Sequence, residues 1–181
     1  RSNGALTAAA WERIGVWQVD ERIAPEGDDD RNANQLAALP ARVHPMPVTA
    51  DDLSMGVAEY ADELPDVFDV VHLGLGPDGH TASWVPSPHR DARRALETAE
   101  AVFTIGEYQG RERMTLGRSV VNRARFRVVL ATGAAKAPVI ADWVTGNEQR
   151  GELWVDPALP IAAVEPEHTF VFLDDEAAGD L

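Results

Sequence analysis

The stretch that most constrains this chain is residues 67–86, VFDVVHLGLGPDGHTASWVP. Its first half, residues 67–73, is short, apolar and β-branched, which predicts a buried strand. Gly74, Gly76 and Gly79 then fall within six positions, around Pro77 and Asp78. Such a run cannot continue a strand. It predicts a tight loop where backbone can approach a ligand without hindrance from Cβ atoms. His80 stands at the lip of that loop, followed by Thr81, Ala82 and Ser83. Open α/β sheets place ligands at such points, beyond the carboxyl ends of their strands.

The flanking sequence supports that fold class. Strands are predicted at residues 14–19, 101–108, 113–116, 126–131 and 168–173, with residues 20–22 closing the first of them. Helices are predicted at 32–39, 119–122 and 134–144, the last ended by Gly146. Another runs through Leu53, Val57, Tyr60 and Leu64, with Thr49 as N-cap and Asp52 as its capping-box partner. Alternating strands and helices predict an α/β domain with an open, mainly parallel sheet flanked by helices, Rossmann-like in type. No repeat or linker divides residues 1–181, so a single domain is expected.

Composition narrows the function classes. The 181 residues are 45% hydrophobic, enough for one cored domain. There is no cysteine, which excludes disulfides and thiolate metal sites. The five histidines show no HxxxH or HExxH spacing, so no metal is expected. Thirty acidic against sixteen basic residues leave a net charge of −14, which repels nucleic acid and anionic membranes. No apolar run approaches the ~20 residues that span a bilayer. The cytoplasm is the expected location. An anionic substrate would need a local positive pocket, so clustered bases matter.

Three predicted strand ends carry polar groups able to converge: Asp20–Glu21–Arg22, the 74–80 loop, and 133–136. His80 can act as acid or base near neutral pH, or can simply bond a backbone carbonyl. Asp78 can orient His80, hold a substrate hydroxyl, or stabilise the loop as an Asx turn. Lys136, opening a helix where free N–H groups favour anions, is either an anion ligand or a solvated lysine. Arg113 is the best placed of six arginines between positions 111 and 127. His72 reads as a core histidine, and Trp84 as a wall of the pocket.

The run Gly74–Leu75–Gly76–Pro77–Asp78–Gly79–His80–Thr81–Ala82–Ser83–Trp84–Val85–Pro86 resembles the signature of the 6-phosphogluconolactonases, G-x-G-x-D-G-H-T-A-S-L-F-P. Similar pieces follow in family order: Val19–Asp20–Glu21–Arg22 with Arg31–Asn32, Arg113–Met114–Thr115–Leu116, Val121–Asn122–Arg123–Ala124, and Gly133 with Lys136. The resemblance covers most of residues 14–175. It implies hydrolysis of 6-phospho-D-glucono-1,5-lactone to 6-phosphogluconate, in the oxidative pentose phosphate pathway, without metal or organic cofactor. It implies His80 as general base, assisted by Asp78. It implies Asp20, Arg22, Gly76, Lys136 and, less directly, Arg113 around the substrate. The expected partner is a sugar-phosphate lactone, with the chain a monomer or weak homo-oligomer.

Two alternatives stay in view: an inactive sugar-phosphate-binding module, and a glucosamine-6-phosphate deaminase-type enzyme. The deaminase group carries the same glycine loop but continues towards Asn-Glu-Pro, whereas Thr81–Ala82–Ser83 offers no glutamate. A nucleic-acid-binding role for the arginine-rich 111–127 segment is disfavoured by the net charge. The resemblance also implies an earlier strand and a Gly-Gly-x-Thr-Pro phosphate turn. Ser2–Asn3–Gly4 is a poor substitute for that turn, so the chain is expected to lack its N-terminal strand and phosphate-loop segment.

Overall fold

A computed structural model describes residues 6–150 and 153–181. Ser2, Asn3 and Gly4 lie outside the described residues. The elements run α1 (Ala8–Trp11), β1 (Gly15–Trp17), β2 (Asp20–Arg22), α2 (Ala33–Leu36), β3 (Arg42–His44), α3 (Leu53–Glu63), β4 (Val70–Gly74) and α4 (Ala92–Glu97). They continue β5 (Val102–Tyr108), β6 (Arg111–Leu116), α5 (Arg118–Asn122), β7 (Phe126–Ala131), α6 (Ala137–Arg150) and β8 (Thr169–Leu173).

Parallel pairing dominates the α/β layer, as the alternation of elements requires. Strand β4 pairs with β7, and β7 with β8, all in parallel register. Strands β1 and β3 form a second parallel pair. The core gathers Leu73, Trp84, Leu96, Phe103, Met114, Ile140, Trp143 and Ile161, all essentially without solvent exposure.

The structure departs from the sequence expectations in several places. Residues 20–22 do not close the first strand. They form β2, which pairs antiparallel with β6, and β6 with β5, so a three-stranded antiparallel sheet stands beside the parallel one. The strand predicted over 67–73 is not buried on both sides, because its exposure alternates: Val71 and Leu73 face the core, while Val70, His72 and Gly74 face out. His72 is therefore no core histidine. Along that outer face, cross-strand neighbours Val70, Phe126, Leu130, Phe170 and Phe172 are each 44–55% exposed, a bare apolar surface among the described residues.

Helix α3 is capped by Asp52 rather than Thr49, with Oδ1 accepting from Ser54 N at 2.9 Å and Met55 N at 3.4 Å. Helix α6 runs through Gly146 to Arg150. Gly146 allows close approach there, since a Cβ would stand 2.4 Å from the Trp154 ring. Trp84 lines no pocket: it is fully buried and donates Nε1 to Leu116 O at 2.9 Å.

Among the described residues, β1 and β4 are each paired on one side only. Residues of both line a single groove of about 850 Å³, floored partly by Trp17 and Phe68. Asp20, Asn32 and Gly74 also line it.

A buried carboxylate holds β2 in place. Glu21 has no solvent exposure and accepts from Gln18 Nε2 (2.9 Å), Arg22 N (2.8 Å), Asn32 N (2.7 Å), Ala33 N (2.9 Å) and Arg31 Nε (3.3 Å). Two of those amides belong to the start of α2, which a carboxylate satisfies well. Burial pushes the Glu21 carboxyl up, but the hydrogen bonds from Gln18, Ala33, Asn32 and Arg22 outweigh it and hold the group below its ordinary value of 4.5. A depressed folded value makes Glu21's contribution to stability complete above about pH 4.5, lost as pH falls through the folded value. Glu21→Gln should cost about 2–4 kcal/mol in urea unfolding at pH 7. Its deficit relative to the parent should shrink in acid.

Candidate active site

The site forms where the loop after β4 meets the antiparallel sheet. Gly76 is required at its centre. The backbone turns on itself there, with Gly76 N donating to His80 O at 2.8 Å and Gly79 N to Gly76 O at 3.1 Å. A Cβ on Gly76 would lie 2.0 Å from His80 Nδ1 and 2.6 Å from Asp78 Oδ1. Gly79 has φ of +85°, and a Cβ there would meet Leu159 at 2.7 Å. Ile161 N, donating to Gly79 O at 3.0 Å, fixes the far side of the loop.

The residues after His80 stitch the two sheets together. Thr81 donates its hydroxyl to Gly74 O at 2.8 Å. Ser83 donates Oγ to Asp20 Oδ2 at 2.6 Å, and its backbone N donates to Thr115 Oγ1 at 3.2 Å. With Trp84 bonded to Leu116, two consecutive motif positions, Ser83 and Trp84, tie the loop to β2 and to both residues of the Thr115–Leu116 pair. The Thr-Ala-Ser part of the motif is thus a structural clamp.

His80 and Asp78 form a hydrogen-bonded pair. Asp78 Oδ1 lies 2.6 Å from His80 Nδ1 and also accepts from His80 N at 3.3 Å. The Asx-turn and orienting readings of Asp78 therefore hold at once. An ionised carboxylate only accepts, so Nδ1 carries the proton and Nε2 is left as the basic lone pair. No partner for Nε2 occurs among the described residues, and the His80 side chain is 19% exposed. Burial would raise the Asp78 carboxyl, but hydrogen bonds from Tyr108 and His80 hold it below its ordinary value.

Asp20 sits across from this pair with its side chain 19% exposed, accepting from Ser83 and from Asn32 Nδ2 at 3.3 Å. Burial pushes its carboxyl up, against the opposing pull of Ser83, Arg113 and Arg22. Arg113 is only 4% exposed at its side chain and is already engaged: Nη1 stands 3.9 Å from Asp20 Oδ2, and Nη2 donates to Tyr108 O at 3.2 Å and Gln109 Oε1 at 3.3 Å. Arg22 faces Arg113 across the β2–β6 register, donating Nη1 to Asp30 O at 2.5 Å. Its Nε is buried with no partner among the described residues.

Lys136 occupies a 3₁₀ turn, Ala134–Lys136, ahead of α6 rather than the first turn of an α-helix. It is half-buried, one turn before Val139, whose side chain packs beneath the Gly79 position. Gly133, at φ of +87°, starts that turn and donates N to Asp174 at 3.0 Å. Contacts thus link Asp20, Arg113, Asp78 and His80 into one cluster, with Arg22 beside it. Lys136, on the turn before α6, makes no hydrogen bond or ion pair with that cluster among the described residues. The Val121–Asn122–Arg123–Ala124 piece is structural: Asn122 bonds Ala163 O at 2.8 Å and Glu165 N at 3.0 Å, bracing the segment that supports Gly79.

One residue was missed. Tyr108 reaches both Asp78, by a short bond from its hydroxyl, and His80 Nδ1 at 3.0 Å. Its signal was local: Gln109 and Gly110, both at positive φ, make a two-residue hairpin turn between β5 and β6 that presents Tyr108 at the tip. No group of three or more His, Asp or Glu among the described residues is placed to hold a metal ion.

The geometry is a glycine-cradled His–Asp pair beyond an α/β strand end, with Arg22 and Arg113 near Asp20. Comparison with known proteins places the chain in one family. Residues 2–173 match the model of the glucosamine-6-phosphate isomerases/6-phosphogluconolactonase, and the chain belongs to that family. It is 30% identical over 198 residues to a 6-phosphogluconolactonase of Synechocystis sp., covering 97% of this chain and 76% of the relative. The crystal structure of a 6-phosphogluconolactonase from Thermotoga maritima matches with a TM-score of 0.73 at 22% identity, covering 90% of this chain and 73% of that one. A monomeric glucosamine-6-phosphate deaminase matches the fold equally well, with a TM-score of 0.73 at 20% identity over 94% of this chain and 76% of that one.

The tightness at Gly76 makes a direct test. Gly76→Ala should lower kcat for the site's reaction by about 100-fold, by displacing His80 from Asp78. Circular dichroism should show the fold retained.

Proposed function

We propose that this chain hydrolyses 6-phospho-D-glucono-1,5-lactone to 6-phosphogluconate, with His80 as the base. The observation that carries this reading is His80 held through Nδ1 by Asp78, with no partner for Nε2 among the described residues. Nε2 takes a proton from water as the oxygen attacks the lactone carbonyl. The tetrahedral adduct then collapses, the ring C–O bond breaks, and the imidazolium returns its proton to the departing ring oxygen. A lactone is an activated ester, so a positioned base and nearby cations suffice.

Fold similarity alone does not separate lactonase from deaminase, since solved structures of both match. The relatives named 6-phosphogluconolactonase at about 30% identity favour the lactonase, as does the Thr81–Ala82–Ser83 continuation, which has no glutamate. Lys136 and Arg22 are the better candidates to receive the phosphate. Arg113 is spent on Asp20, the Tyr108 carbonyl and the Gln109 side chain, and serves the site by position. Asp20, bonded to Ser83, faces the sugar hydroxyls. No metal or organic cofactor enters this chemistry.

The net charge of −14 argues against a nucleic-acid partner. No helix among the described residues is long and apolar enough to cross a membrane. We read the chain as cytoplasmic.

The test is the rate of lactone opening after oxidation of glucose 6-phosphate in situ, measured against spontaneous hydrolysis. His80→Ala should lose about 10²–10⁴ in kcat with little change in KM. A folded chain that does no better than water, both as these 181 residues and within a longer polypeptide, would overturn the reading.

The groove between β1 and β4 belongs to the same proposal. Two half-paired strands on its walls and a bare apolar face beside it support the reading that a further strand lies there in the working enzyme, supplied from outside these 181 residues. The relatives' extra length, about a quarter of the Synechocystis protein, leaves room for it. Hydrogen exchange checks this. Amides of Gly15–Trp17 and Val70–Gly74 that exchange quickly in the 181-residue chain should become protected in a longer polypeptide carrying that strand, and equal exchange in both would sink the idea.

A further inference from the structure

Tyr108 is the one uncharged hydrogen-bonding group that touches both members of the His80–Asp78 pair. Its hydroxyl bonds Asp78 Oδ2, the oxygen that His80 does not use, and stands 3.0 Å from His80 Nδ1. The two rings meet edge to face, with centroids 5.3 Å apart. The phenol is fixed from behind as well. Arg113 lies 5.1 Å from its ring centroid and donates to its backbone carbonyl, Gln109 Nε2 donates to its hydroxyl at 3.2 Å, and the His89 ring packs edge-on at 6.1 Å. The tight Gln109–Gly110 turn leaves the β5–β6 hairpin little freedom to move it.

We infer that Tyr108 is a positioning residue for catalysis: it donates to Asp78, pins that carboxylate in the orientation that holds His80 Nδ1–H, and so aims Nε2 at the attacking water. This rests on the reading of His80 as the base. The phenol suits the task because it stays a donor. Burial first, and then the hydrogen bond and charge of Asp78, push its ionisation upward, so it remains protonated wherever the enzyme works. In return it is one of the bonds that keep Asp78 ionised. The charged or titratable groups facing this hydroxyl and ring are Asp78, His80, His89 and Arg113, from the glycine loop, the segment before α4, and β6.

Removing only the hydroxyl, by Tyr108→Phe, leaves the ring packing and separates positioning from bulk. Two effects on the pair are expected. The Asp78 side-chain carboxyl, followed by its ¹³C resonance, should titrate about half to one pH unit higher than in the parent, since one charge-assisted hydrogen bond is gone. With its partner less anchored and its charge less shared, the acid limb of the kcat/KM–pH profile should also move upward. At the plateau kcat should fall about 3- to 10-fold while KM stays within twofold, because the lost bond orients the base and does not hold the substrate. The carboxyl titration is read in the absence of turnover, so it judges Tyr108 even if the parent chain fails to hydrolyse the lactone; that failure would count against the proposed reaction alone. An Asp78 titration identical in parent and Tyr108→Phe would overturn the inference, as would an unchanged pH profile and kcat in an active enzyme.

Discussion

Burying an ionised carboxylate is expensive unless every lone pair is met, and Glu21 meets that condition with five donors drawn from β2, the segment before β2 and the start of α2. Because the donors come from separate stretches, one side chain locks the strand, the 23–32 loop and a helix N-terminus into a single unit. Its immediate neighbours, Asp20 and Arg22, are thereby presented on the other side of β2, towards the glycine loop. Strand alternation does the rest, since residues on either side of an inward-facing position must face the opposite way.

The loop itself depends on a second constraint, the absence of side chains at Gly76 and Gly79. The first leaves room for the His80 ring over its own backbone, and the second lets α6 and the 159–161 segment close in from behind. Thr81, Ser83 and Trp84 then convert a flexible composition into a rigid one by bonding the loop to both sheets. The proposed role of His80 as base gains from such support, because a base depends on orientation as much as on basicity.

Much of this was legible from residue order. The glycine run read as a loop, the short apolar segments at 101–108 and 126–131 read as strands, and the structure has both. The roles of Ser83 and Trp84 were not legible, because their partners lie on β2 and β6, more than thirty positions away. The same distance hid Tyr108. Its hydroxyl meets Asp78 only because the β5–β6 hairpin folds back over the loop. Local pattern also misled about the burial of β4, whose outer face carries apolar residues that a solvated face would not need.

By itself, the sequence determined the conformational permissions of the chain: which backbone could turn tightly, which segments could pair, and which side chains could exchange a proton. Those are local properties of glycine, β-branched residues and imidazole, and they survive without knowledge of neighbours. Tertiary structure alone decided which charges are spent and which remain available. Arg113 lost its freedom to Asp20 and a backbone carbonyl, while Arg22 Nε has no partner among the described residues. That outcome turns on distances of a few ångströms between strands far apart in the chain, and electrostatic and hydrogen-bond energies are set at that range.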